Sequence, residues 1–195
     1  MTPVVDAVEP EARSRGRHPV TVALRRWPTW LALGLVALIL PDYEDGLDLA
    51  LIPGIASVGY LLMALLDRPG LTWILFVPVT ALVPLTRLVD LDVWWVFTAV
   101  TAGLTVAGLV LGRLRRPDLR TMQAVVAAVL LGLAITAIGI AGDAGRLLVA
   151  LALIGHAATD LVLWRANRVV SRSFAEWCGV LDLTLGAVLI AVTLA

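Results

Sequence analysis

Two apolar segments near the C-terminus carry residues that a lipid bilayer should reject. They read GHAATDLVLWR (155–165) and AEWCGVLDLTLGAVLIAVTLA (175–195), and they hold His156, Asp160, Cys178 and Asp182. On insertion scales an aspartate at the centre of a membrane helix costs ~2.5–3.5 kcal/mol, so an intramembrane ionisable group is first of all a functional candidate. An Asp that orients a His is the arrangement of a general base. A His with two carboxylates could also hold a divalent ion with an open coordination position. Two carboxylates at one depth tend to share a proton.

The spacing favours convergence. His156 and Asp160 are four residues apart and lie one turn from each other on one helical face, and Cys178 and Asp182 repeat that spacing. Asp160 lies five residues from Arg165, and Asp182 six from Glu176. At helical rise both carboxylates then sit ~8–9 Å inside the same membrane boundary. His156 is a turn deeper, and Cys178 lies near the level of Trp164. If the two faces meet, His156, Asp160 and Asp182 form a candidate catalytic cluster opening toward the cytoplasm, with Cys178 near its entrance.

The linking loop, ANRVVSRSF, supplies Arg165, Arg168 and Arg172, which could bind a phosphate or carboxylate head group. They are also what a cytoplasmic loop ordinarily carries. Three functions stay open on these residues: an enzyme or binder acting on a lipid-like molecule reached from the inner leaflet, a small proton-coupled transporter, and a structural or assembly subunit whose polar groups tie helices together.

The elements that position these residues follow from composition. Of 195 residues, 60% are hydrophobic and 15% charged, and mean hydropathy is +0.94. Soluble domains run nearer ~45–50% apolar and ~25% charged, so the bilayer must be this chain's solvent. The expected fold is all-α, a transmembrane bundle over residues 19–195 behind a disordered cytoplasmic tail at 1–18. Hydropathy gives seven segments, at about 21–40, 48–66, 70–88, 93–112, 120–141, 146–164 and 176–195. The first is the weakest, because Pro28 and Pro41 leave a clean stretch of only ~20 Å, with Arg25 and Arg26 to snorkel at its base. No small-x-small cleavage site follows it, so it reads as an uncleaved span.

Charge and aromatic placement agree on orientation. With the N-terminus inside, 13 of the 15 arginines fall on cytoplasmic segments, against Arg87 and Arg146 outside. The positive-inside rule then puts the C-terminus outside, in a bacterial inner membrane. Trp27, Trp30, Trp73, Trp164 and Trp177 fall at inner ends and Trp94 and Trp95 at an outer end, where an aromatic belt belongs. The outer loops are acidic (Asp42, Glu44, Asp45, Asp48, Asp90, Asp92, Asp143) and read as solvated or as a cation-attracting mouth. Gly108, Gly112, Gly132, Gly139 and Gly142 predict close helix contacts, within the chain or in a helix-packed oligomer. Pro78 and Pro84 predict kinks in the third span.

Several classes drop out. Zero net charge gives no reason to expect nucleic acid as a partner; membrane lipids and a hydrophobic or amphiphilic small molecule are the expected ones. The absence of lysine removes a retinal Schiff base. One cysteine allows no internal disulfide, and the only histidine besides His156 is His18 in the tail, so a multi-histidine di-iron site cannot be built. No cofactor is indicated by any motif.

The stretch 150–190 resembles a group of small, uncharacterised bacterial integral-membrane proteins. The resemblance rests on H-A-x-x-D (His156 to Asp160), Arg165 and Arg168, Phe174, and C-x-x-x-D-x-x-x-G (Cys178, Asp182, Gly186). It implies a membrane fold and a shared site without a known reaction. Other members often place histidines one turn after the Asp, where this chain has Leu163, Trp164 and Arg165. If those histidines are metal ligands in the relatives, this chain lacks them.

Overall fold

The computed structural model describes residues 24–42 and 46–195, and among these the chain is helical with no strand. The expected tail at 1–18, with His18, Arg13, Arg15 and Arg17, lies outside the described residues, as do Glu44 and Asp45. Seven helices follow one another: α1 (Trp27–Ile39), α2 (Leu51–Leu66), α3 (Thr72–Leu88), α4 (Val93–Val110), α5 (Leu119–Ile140), α6 (Gly142–Ala166) and α7 (Arg172–Leu194). Short 3-10 turns lengthen α2 and α3 at their starts, so that Leu47–Leu66 and Pro69–Leu88 each reach 20 residues. Among the described residues six helices are then long and apolar enough to cross a membrane. The chain is a multi-pass, all-α membrane protein. The weak first segment is helix α1, whose 13 residues cover ~20 Å of a ~30 Å hydrocarbon core.

Local signals set the helix ends. Asp92 opens α4 by accepting hydrogen bonds from the Trp94 and Trp95 amides, and Asp118 opens α5 by accepting from Arg120 and Thr121. Ser171 does the same for α7 through the Phe174 amide. At the other ends, Asp67 and Asn167 adopt the left-handed conformation and close α2 and α6 with amide bonds to Met63 and Leu163.

Packing is uneven. Helices α6 and α7 form the most extensive pair, α1 leans on α7, and α2 packs against α5, α4 and α3. The span of α2 is the most buried, while α3 and α4 turn residues such as Ile74, Val77, Leu88, Val106 and Val110 outward. Large apolar side chains on an outer face are stable only against lipid.

Contacts gather the arginine-rich ends at one side. Arg26 pairs with Glu176 at 3.2 Å, Arg120 with Asp67 at 3.3 Å, and the Ser171 amide donates to Thr72 Oγ1 at 3.2 Å. Arg113 donates to the Leu65 carbonyl. Arg26, expected to snorkel at the base of the first segment, is engaged with protein through Glu176.

The glycine expectation holds only in part. A Cβ on Gly108 would lie 2.5–2.7 Å from Leu114 and Leu65, so this position does permit a close approach to α2. Gly112 instead has φ +71 just beyond α4, a left-handed conformation that ends the helix. Gly132, Gly139 and Gly142 face open space and mark no contact between the described helices.

Candidate functional site

The site forms because two glycines let α7 lie against α6. A Cβ on Gly186 would meet Ile154 Cγ1 at 2.8 Å and the Ala150 carbonyl oxygen at 3.1 Å, and one on Gly179 would meet Asp160 Cβ at 3.3 Å. With backbones this close, polar side chains from facing turns share one volume. His156 Nδ1 is hydrogen-bonded to Asp182 Oδ2 at 2.6 Å and lies 3.6 Å from Asp160 Oδ2. All three residues are buried, Asp160 and Asp182 completely. Sequence spacing brought His156, Asp160 and Asp182 onto facing turns, and the structure joins them in one cluster.

Three details go beyond or against the sequence expectation. Spacing left open which aspartate His156 bonds: it is Asp182 on the neighbouring helix, with Asp160 Oδ2 farther off at 3.6 Å. Second, the cluster does not open toward the arginine-rich end. There Trp73, Phe174 and Trp177 pack on one another, with ring centroids 5.0–5.4 Å apart. Trp177 is buried, unlike the exposed Trp27, Trp30 and Trp95, because its ring loses more water-accessible area against neighbouring rings than at the interface. Third, Cys178 is not at an entrance; it is buried beside the carboxylates.

Tyr60 of α2 is the member that sequence reasoning missed. Its hydroxyl donates to Asp160 Oδ1 at 2.5 Å, and its ring stands edge-on to His156 with centroids 4.5 Å apart. A tyrosine within an apolar run carries no spacing signal.

A cavity of about 130 Å³ lies between α1, α2, α3 and α7. Leu35, Ile39, Ile52 and Ile55 form one side of its wall, and Phe76, Phe174 and Trp177 another. Its polar-bearing wall residues are Tyr60, Thr72, Trp177 and Cys178; the Thr72 hydroxyl donates to the Pro69 carbonyl, and the buried Trp177 indole N–H has no partner among the described residues. Tyr60 and Cys178 therefore belong both to the wall and to the cluster, while the three ionisable residues stand behind them.

The polar atoms of the cluster are only half satisfied. Asp160 Oδ2, Asp182 Oδ1 and His156 Nε2 are buried without a hydrogen-bond partner. One ligand-capable atom from each of His156, Asp160, Cys178 and Asp182 lies within 4.8 Å of the others, so these four could hold a metal ion. Buried Gln123 on α5 also lacks partners for both amide atoms; nothing in the structure explains it.

Arg165, Arg168 and Arg172 are exposed around the α6–α7 loop, and Arg172 donates to the Trp164 carbonyl at 3.2 Å. None of the three lines the cavity. Among the acidic outer residues, Asp92 is a helix cap and Asp143 pairs with Arg146 at 3.2 Å.

Compared with known protein families, curated proteins and solved structures, the chain matches none.

Proposed function

We propose that this protein binds a lipid-like molecule in the cavity between α1, α2, α3 and α7 and exchanges a proton with its polar end. The observation that carries this reading is that Tyr60 and Cys178 line an apolar cavity and also touch a buried His/Asp/Asp cluster. Size supports it: a dry cavity of ~150 Å³ takes up benzene, so one ring or a short run of methylenes fits here. An apolar wall selects by exclusion of water, and a few placed polar groups orient the occupant.

The hydrogen-bonded series Tyr60–Asp160 beside His156–Asp182 gives the site acid–base capacity. Tyr60 meets the ligand. Asp160 takes or returns the phenolic proton, and His156, held by Asp182, balances the charge this creates. Two carboxylates beside one imidazole cannot all be ionised in a place without water unless a proton or cation accompanies them, which makes the cluster a natural proton store. Arginines concentrated at one end favour a cytoplasmic-membrane protein with that end inside.

Photolabelling tests the reading. An alkyl diazirine should label Leu35, Ile52 or Leu181 saturably, and Ala56→Phe, which fills the cavity, should abolish that labelling while leaving label on lipid-facing Val129 unchanged. Equal labelling of both sets in wild type and variant would overturn it.

A further inference from the structure

We propose that His156, Asp160, Cys178 and Asp182 form a buried mononuclear centre for a divalent transition ion of the zinc type, held by one atom from each side chain. The donor set is the first argument. One nitrogen, one sulfur and two carboxylate oxygens make a mixed tetrahedral set that suits a borderline ion and suits calcium or magnesium poorly.

The bonding of the carboxylates is the second argument, and it is independent of the first. Each carboxylate spends one oxygen on a neighbour and leaves the other bare: Tyr60 holds Asp160 Oδ1 and leaves Oδ2, and His156 holds Asp182 Oδ2 and leaves Oδ1. Asp160 is arranged as a metal-binding carboxylate is, with one oxygen oriented by a partner outside the donor set, Tyr60, and the other free for the ion. Leaving such atoms bare in a dry interior costs several kcal/mol each without a cation to meet them.

Geometry is close to what the ion requires. Ligands at ~2.0–2.3 Å from a tetrahedral ion stand roughly 3.3–3.8 Å apart, and the four atoms here are already within 4.8 Å of one another. Side-chain adjustments of about an ångström close the site. The 2.6 Å contact of His156 Nδ1 with Asp182 Oδ2 is shorter than that ligand–ligand spacing, so metal uptake opens it or sends the other carboxylate oxygen to the ion. Uptake releases the thiol proton and the proton held between His156 and Asp182, since ligands bind deprotonated. The ion's two positive charges take the place of the two released protons, so uptake leaves the net charge of the site unchanged.

This inference rests on the same cluster as the cavity reading and makes no use of what fills the cavity. The test uses the full chain in lipid nanodiscs, titrated with Co²⁺ and separately with Zn²⁺. Wild type should bind one ion per chain, and the cobalt form should show a thiolate-to-metal absorption band. Cys178→Ser should lose that band, and Asp182→Asn should weaken binding at least ~10-fold. Tyr60→Phe, which leaves all four ligands in place and only frees Asp160, should weaken it ~10–100-fold. Cys178→Ala serves where the serine variant does not fold, since a small apolar residue suits a buried position. Wild type that takes up no ion at one per chain, or a cobalt spectrum unchanged by Cys178→Ser, overturns the centre. Metal binding without saturable diazirine labelling would overturn the cavity reading alone, and the reverse result would overturn the metal alone.

Discussion

Helices α3 and α4 and helices α6 and α7 are both consecutive membrane-length pairs of nearly the same mean hydropathy, yet only the second buries ionisable side chains. In α3 and α4 most threonines turn back on their own helix, Thr80 to Phe76, Thr86 to Val83, Thr98 to Trp94 and Thr105 to Thr101, while the buried Thr101 hydroxyl has no partner among the described residues. A hydroxyl that closes on its own backbone needs no partner, so its helix can stand at the lipid boundary. In α6 and α7 threonines close the same way, Thr159 on His156, Thr184 on Val180 and Thr193 on Leu189, but these helices also carry His156, Asp160 and Asp182, which are not satisfied by their own backbone. They reach across to each other and to Tyr60. Hydropathy does not distinguish the two pairs. What distinguishes them is whether a polar group can be satisfied locally.

The strongest way to break this comparison is to remove a cross-helix partner. Asp182→Ala strands His156 and should cost ~3–5 kcal/mol, as loss of one member of a buried charged pair does, whereas Thr98→Val in α4 should stay within ~0.5 kcal/mol. Equilibrium unfolding in lipid nanodiscs measures both, and equal effects would erase the distinction. Next in size is Tyr60→Phe, which keeps the ring against His156 and deletes one bond to Asp160. A loss of ~1.5–3 kcal/mol is expected by the same measurement.

Glycines sharpen the contrast further. Gly186→Ala drives a methyl into Ile154 and the Ala150 carbonyl and should destabilise by ~1–3 kcal/mol. Gly103→Ala in α4 meets nothing and should stabilise by ~0.5–1 kcal/mol. Opposite signs are the expected outcome. The smallest effect belongs to a water-facing cap at the start of α5. Asp118→Ala should cost ~1 kcal/mol. The Thr121 amide, then the Arg120 amide and its guanidinium, hold the Asp118 carboxyl below the usual carboxylate range. Its contribution is therefore complete above the unfolded value of ~3.9 and fades as pH falls through the lower folded value. An acid titration of stability should lose this increment in Asp118→Asn.

Much of this arrangement was legible in the chain. The i, i+4 spacing of His156 with Asp160 and of Cys178 with Asp182, placed level by Arg165 and Glu176, located the cluster. The short reach of α1 was legible from Pro28 and Pro41. Which aspartate bonds His156 was not, because spacing along one helix says nothing of how its neighbour is rotated. Tyr60 was invisible for the same reason: its hydroxyl matters only where α2 meets α6. Trp177 read as a belt residue because helix ends and belt positions coincide in sequence, and only packing reveals that its ring turns inward. Gly179 and Gly186 set the distance between α6 and α7, a consequence of three-dimensional approach that no repeat announces.

The central claim is that the apolar cavity beside Tyr60 and Cys178 holds a lipid-like molecule. Native mass spectrometry of the protein released from its own membrane tests it most directly. One adduct of defined mass per chain, resistant to collisional activation and absent from Ala56→Phe, is the predicted result. Only a spread of bulk-lipid adducts, the same in wild type and Ala56→Phe, would contradict it.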